Sequence, residues 1–231
     1  MGFMPFNDPG NEGSCNNHQF WYKNAFYGFD CDRGIFNSNF ETFRKDRKLK
    51  RRHSMKLTDL APLAKWVELE KNVHQKSGLD VNVFDTNGYR ISEVKNWANR
   101  LCPEIKATDK GQSFICAPAH MNIAAQAKRS GKPAIEECDV GMLKLVVPIF
   151  LDDEYIGAFG ACGFLLDNGE VDSFLVNKMT DISEDQVDRL ADGIPVITIE
   201  EAENLARYIT VQLAGILANY GSPGGKTADP V

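Results

Sequence analysis

From Thr58 onward the chain alternates between two hydrophobic rhythms. In LTDLAPLAKWVELEKNVHQKSG, Leu60, Leu63, Trp66, Val67 and Val73 recur at near-helical spacing and Gly78 follows, which predicts an amphipathic helix closed by a glycine. LDVNVFDTNGYRIS then switches to alternation, with Leu79, Val81 and Val83 inward, and Asn87-Gly88 predicts a two-residue hairpin. A short helix and loop through Trp97 and Cys102 fill 93–110. A second clear helix follows, with Pro118 in its first turn and Gly131 and Pro133 as its stop. PAIEEC reads as a strand ending at Cys138. LKLVVPIF and YIGAFGACGFLL read as two apolar strands joined by Leu151-Asp152-Asp153-Glu154, a hairpin buried on at least one face.

Beyond that hairpin, GEVDSFLVNKM predicts a short helix, Ser183 to Gln186 a capping box for another, and Thr198 to Glu201 the cap of a longer helix running to about Tyr220. In this last helix Ile199, Ala202, Leu205, Ala206, Ile209, Leu213, Ile216 and Leu217 form an apolar stripe, which packs on the domain or on its own copy in a dimer. Residues 1–55 show no sustained periodicity and close with RKDRKLKRRH at 44–53, so they read as an irregular arm. GSPGGKTADPV reads as a flexible tail from residue 222. One folded unit, 56–221, lies between them.

Charge sharpens this division. The net charge of −6 splits into +3 for residues 1–55 and −9 for the remainder, so nucleic acid is not expected as a partner of the main body. No apolar run approaches the roughly 18 to 20 residues that a spanning helix needs. MGFMPFNDPG has neither a basic start nor an apolar core, and Phe6 stands where a myristoylation signal carries Ser or Thr. The expectation is a cytoplasmic protein without membrane attachment.

Cys102, Cys116, Cys138 and Cys162 each stand at the end of a predicted element, where side chains can converge on one site. Four thiolates suit tetrahedral zinc or an iron–sulfur cluster, although no Cys-x-x-Cys pair exists. Redox-active thiols, or buried free cysteines lining a small apolar pocket, are the other readings. Cys116 precedes a helix start marked by Pro118, where exposed N–H groups and the helix dipole favour a thiolate, and His120 follows on the same face. Cys102-Pro103 and Cys138-x-x-Gly141 border turns that can aim a side chain. Cys15 and Cys31, in the arm, have no metal spacing. Gly157, Gly160 and Gly163 let a ligand or a neighbouring element come close to the sheet, and Phe84, Tyr89, Trp97 and Phe159 are core or pocket wall. Nucleotide-binding and zinc-protease motifs are absent.

The helix DLAPLAKWVELEKNV, then SGLDVNVFDTNGYRI, then the cysteines of LCPEIKA, FICAPAH and EECDVGM, then VVPIFLDDEYIGAFGACG, form an order more specific than any one segment. Residues 57–166 in this order resemble the PocR-type ligand-binding domain, a bacterial and archaeal sensory module. The resemblance implies an α/β (α+β) fold, a PAS-like antiparallel sheet flanked by helices, here with an added helical C-terminal segment. It also implies a non-enzymatic sensor of small hydrocarbon derivatives such as propanediol, of a kind usually fused to a DNA-binding, kinase or cyclase output; here a separate signalling output protein is the expected partner. Where the family commonly carries His after the third cysteine, this chain has Asp139, a carboxylate that can still bind a metal or a hydroxyl. The expected ligand-binding set is Cys116, His120, Cys138, Asp139 and Phe159. The expected metal set, for zinc or an iron–sulfur cluster, is Cys102, Cys116, Cys138 and Cys162. A homodimer through the terminal helices completes the picture. The rival readings are a metal-cluster redox switch and an enzyme with Cys116 as nucleophile and His120 as base.

Overall fold

The computed structural model describes residues 55–167 and 169–220. The expected arm, 1–55, lies outside the described residues up to residue 54, with Cys15, Cys31 and the basic run at 44–53, as does the expected tail from 222. Two helices, α1 (Leu57–Leu60) and α2 (Leu63–Ser77), lead into β1 (Asp80–Phe84). After a loop come α3 (Leu101–Ala107), the single turn α4 (Asp109–Gly111), a π-helical turn (Gln112–Cys116) and α5 (Ala117–Ser130). The sheet resumes with β2 (Ala134–Glu137), β3 (Met142–Leu151) and β4 (Glu154–Leu166). The chain then runs through α6 (Ser173–Thr180), α7 (Glu184–Ala191), β5 (Val196–Ile197) and α8 (Ile199–Tyr220). Strand order is β1-β4-β3-β2, all antiparallel, and the two residues of β5 pair in parallel with the end of β4. This is the mixed, helix-flanked sheet expected from the sequence.

The hydrophobic alternation of β3 and β4 creates two faces. Leu143, Leu145, Val147 and Ile149 of β3 join Phe159 and Ala161 of β4 and Val81 and Val83 of β1 in the main core. On that side α2 contributes Trp66, Leu69 and Val73, and α8 contributes Ala202, Leu205, Ala206, Ile209 and Leu213. Burying one such side chain stabilises by roughly 1.5–3 kcal/mol, so this layer is the main source of stability. From Ala202 to Leu213 the apolar stripe of α8 is therefore spent inside the domain, while Ile199 at its start is 51% exposed. Of the two expected uses of this stripe, packing on the domain accounts for its middle: Leu213 is only 3% exposed, and Ile216 and Leu217 sit at the margin of the same core. Leu63, predicted on the buried stripe of α2, is 44% exposed, and Leu69 and Glu70 take the buried positions instead.

Local turn chemistry explains the connections. Asp152 and Asp153 both adopt positive φ, 47° and 64°, the pattern of the tight hairpin turn that matches strand twist. The Thr198–Glu201 capping box forms in full: Thr198 Oγ1 accepts from the Glu201 N–H at 3.1 Å, and the Glu201 carboxylate accepts from the Thr198 N–H at 2.9 Å. The Ser183 side chain makes no capping bond at α7. The two-residue hairpin expected at Asn87-Gly88 is a wider turn. Asp85 accepts from the N–H groups of Asn87 and Tyr89, both at 2.9 Å, and only the single bridge Phe84–Arg90 continues the pairing.

Glu70 is fully buried on α2 and accepts from the Val83 N–H at 2.8 Å and the Ser92 hydroxyl at 2.6 Å. It anchors β1 and the middle of the following loop to α2. A second, smaller core forms where α6 and α7 pack against α3, the π-helical turn, Val140 and Met142.

Candidate functional site: a cysteine-lined cleft on the second sheet face

In the middle of the two strands, Lys144 and Val146 of β3 and Ala158 and Cys162 of β4 face away from the main core. Asp80, Cys162 and Lys144 form a row across three adjacent strands, because Cys162 is the register partner of both others. Over this face lie α3, the π-helical turn and α5, leaving a cleft of about 830 Å³. All four described cysteines line it: Cys102 from α3, Cys116 from the π-helical turn, Cys138 from the β2–β3 turn and Cys162 from β4.

The helix over the cleft runs through Pro118 without starting there. Proline has no N–H, and its ring presses on the carbonyl four residues earlier, here that of Phe114. The chain accommodates it by widening the preceding turn into the π-helix of Gln112–Cys116, with the Ala117 N–H bonding to the Gln112 carbonyl. Cys116 is thus not at a free helix N-terminus, and the dipole expected to favour its thiolate is absent. Burial instead pushes its thiol up to about 11, against the partial relief of Lys106 and Lys144. Burial raises Cys102 further, with Cys162 adding to the effect. It also raises Cys138, against the N–H groups of Val140 and Met142.

Cys102 is positioned by a residue that the sequence reading passed over. Asn99 Oδ1 accepts from the N–H groups of Leu101 and Cys102 at 2.9 and 2.7 Å, capping α3. Its Nδ2 approaches Cys102 Sγ at 3.3 Å and donates to the Gly163 carbonyl. A Cβ at Gly163 would meet Ala98 Cβ at 2.8 Å, and one at Gly160 the Phe84 ring at 2.9 Å. The glycines of β4 therefore seat protein neighbours closely. Although the cysteines share a cleft, no three His, Cys, Asp or Glu side chains among the described residues are grouped as a metal ion requires. The four thiols are free.

His120 is 5% exposed and lines the cleft, stacked on Phe84 with ring centroids 3.8 Å apart. Its Nδ1 has no hydrogen-bond partner. Burial first, then the positive charges of Lys144, Lys106 and Arg90, hold its pKa down to about 3, so the ring is neutral at ordinary pH. Two other members of the expected ligand-binding set stand elsewhere. Phe159 is 0% exposed in the main core on the opposite face, the side that Ala161 shares with it and that Cys162 does not. Asp139 is exposed in the β2–β3 turn and is not among the lining residues.

The cations are the residues the sequence reading missed. Arg90, Lys95, Lys106 and Lys144 all line the cleft, and no Asp or Glu does. Asp80, 2% exposed at its margin, lies 3.6 Å from both Arg90 Nη2 and Lys106 Nζ. Lys144, 8% exposed, has no carboxylate within ion-pair reach among the described residues, and its Nζ lies 5.8 Å above the Phe84 ring.

The raised thiols give a direct expectation. A shift of Cys116 from 9.0 to about 11 lowers its thiolate fraction near neutral pH about 100-fold. Alkylation by iodoacetamide at pH 7.5, followed at Cys116 by peptide mass mapping, should be slower in the folded protein than in urea by at least that factor. Equal rates would mean that Cys116 is an activated, accessible nucleophile.

The model of the family described as the sensory domain found in PocR matches residues 59–221. No curated protein matches the chain. The match takes in the α2–β4 unit that builds the cleft and extends through α6, α7 and α8, which complete both cores. No described helix is long and apolar enough to cross a membrane. With well over half of its length matched, the chain belongs to the PocR sensory-domain family.

Proposed function

We propose that the protein is a signal-transducing sensor that binds a small hydrocarbon derivative, of which alcohols and diols are the simplest, in the cysteine-lined cleft. The observation that carries this reading is the cleft itself. Apolar walls from Ile115, Val140 and Met142 surround a few convergent polar groups, as in small-molecule sites generally. A separate output partner receives the state of the cleft. Catalysis through Cys116 and His120 is disfavoured by the site's own electrostatics. A thiol raised to about 11 beside an imidazole lowered to about 3 is the reverse of a thiolate–imidazolium pair.

One observation favours a second reading: four thiols border one cleft, which suits a redox switch or, after rearrangement of the donors, zinc or an iron–sulfur cluster. A thermal-shift screen with alcohols, diols and their oxidised derivatives, on protein whose metal content has been measured, separates the two. A ligand at 100 times its dissociation constant should stabilise by about 2.7 kcal/mol. Stoichiometric metal, with no stabilisation by any organic compound, would replace the sensor of small organic molecules with a metal or redox sensor.

A further inference from the structure

The charge inventory of the cleft is one-sided, and its geometry explains why this is not corrected internally. Lys144 and Asp80 lie in the same row, yet Cys162 stands between them. Two strand spacings, about 9.5 Å, therefore separate their backbones. Asp80 is already shared by Arg90 and Lys106 at 3.6 Å each, and its Oδ2 has no hydrogen bond. Lys144, buried as a residue, lines the cleft with its ammonium paired to no carboxylate among the described residues and 5.8 Å above the face of Phe84. A cation that lines a cleft without a carboxylate partner is a ready site for an anionic group. His120 Nδ1 is both buried and unpartnered, and the ring borders the same space.

We propose that the ligand of this cleft carries a negative charge: a short organic carboxylate whose head sits among Lys144, Lys106 and Arg90, and whose carbon body lies against Ile115, Val140 and Met142. The inference rests on the sensing reading above and narrows it from neutral alcohols and diols to their acid counterparts. The carboxylate supplies the counter-charge that Lys144 lacks. Neutral His120, kept so by burial and the surrounding cations, is free to donate or accept one hydrogen bond with the ligand. The apolar walls select an organic body over a bare inorganic anion. Asp80 limits the excess of positive charge and opposes anions of higher valence.

The test uses the purified full chain and matched probes: propanoate, butanoate and lactate against 1-propanol, 1,2-propanediol and propanamide, with inorganic phosphate as the bare anion. Calorimetry and thermal shift should show at least one acid binding at least 10-fold more tightly than its neutral counterpart, with affinity falling as salt rises. Lys144→Met should weaken that acid at least 10-fold without lowering the melting temperature of the free protein, because methionine keeps the buried apolar stem and removes only the charge. Lys95→Met, at an exposed position on the rim, should change acid binding less than Lys144→Met. If neutral diols bind as well as the acids, or phosphate binds as tightly as they do, the carboxylate assignment is overturned and the sensing reading stands. Unchanged acid affinity in a folded Lys144→Met protein overturns the assignment too. If neither class binds, both readings fall.

Discussion

Leu213→Glu should unfold the protein or leave it barely stable, whereas Val211→Glu, two residues away on the same helix, should change stability by no more than about 0.5 kcal/mol. Leu213 is 3% exposed in the main core and Val211 is 66% exposed. Removing a buried leucine and inserting an unpaired carboxylate costs about 5 kcal/mol, which is comparable to the whole stability of many domains. Urea denaturation followed by circular dichroism distinguishes the two variants. A folded Leu213→Glu protein that had merely become monomeric would show that the stripe of α8 serves an interface between copies and not the domain core.

Glu70→Ala should cost about 3 kcal/mol, and Glu70→Gln far less. The alanine leaves the buried Val83 N–H and the Ser92 hydroxyl without partners. The glutamine carbonyl can accept from Val83 while its amide group donates to Ser92 Oγ. The pair also predicts a pH signature. Burial is the largest cause raising Glu70 above its ordinary 4.5, ahead of the opposing hydrogen bonds from Ser92 and Val83 and the charge of Arg90. Above pH 4.5, up to the raised value, the folded state holds a proton that the unfolded chain has released. Stability contributed by Glu70 is therefore full at the acid side of that window and declines as pH rises through it. Glu70→Gln should remove this decline. Denaturation midpoints of both variants between pH 4 and 8 provide the check, and similar losses in alanine and glutamine at every pH would show that packing, not the hydrogen bonds, holds the β1 edge.

What could be read from the sequence was local. The Asp152-Asp153 turn, the Thr198–Glu201 cap, the Gly78 stop and the alternation of β3 all follow from chemistry within a few residues, and the structure shows each of them. The cations of the cleft were not legible, because Arg90, Lys106 and Lys144 are separated by long stretches of chain. A lysine between Leu143 and Leu145 reads as a solvent-facing position of a one-sided strand. It is buried because helices cover the second face as well. Phe159 and Asp139 are misplacements of different kinds. Three positions separate Phe159 from Cys162, so alternation alone assigns them to opposite faces, and that signal was present. Asp139 follows Cys138 directly in a turn, where orientation depends on tertiary context. Cys116 was misread through Pro118, whose usual meaning as a helix start is overridden by the widened turn before it.

The sheet is one residue thick, and neither of its faces is spare. On β3, Lys144 borders the cleft while its covalent neighbours Leu143 and Leu145 are embedded in the core that holds α8; on β4, Cys162 alternates with Ala161 in the same manner. Any displacement of the strand that a bound molecule imposes at Lys144 is thus transmitted across a single peptide bond to the residues on which α8 rests. The mechanical distance between occupancy and the terminal helix is one Cα step, about 3.8 Å, and the tight packing of that layer leaves little slack to absorb the movement.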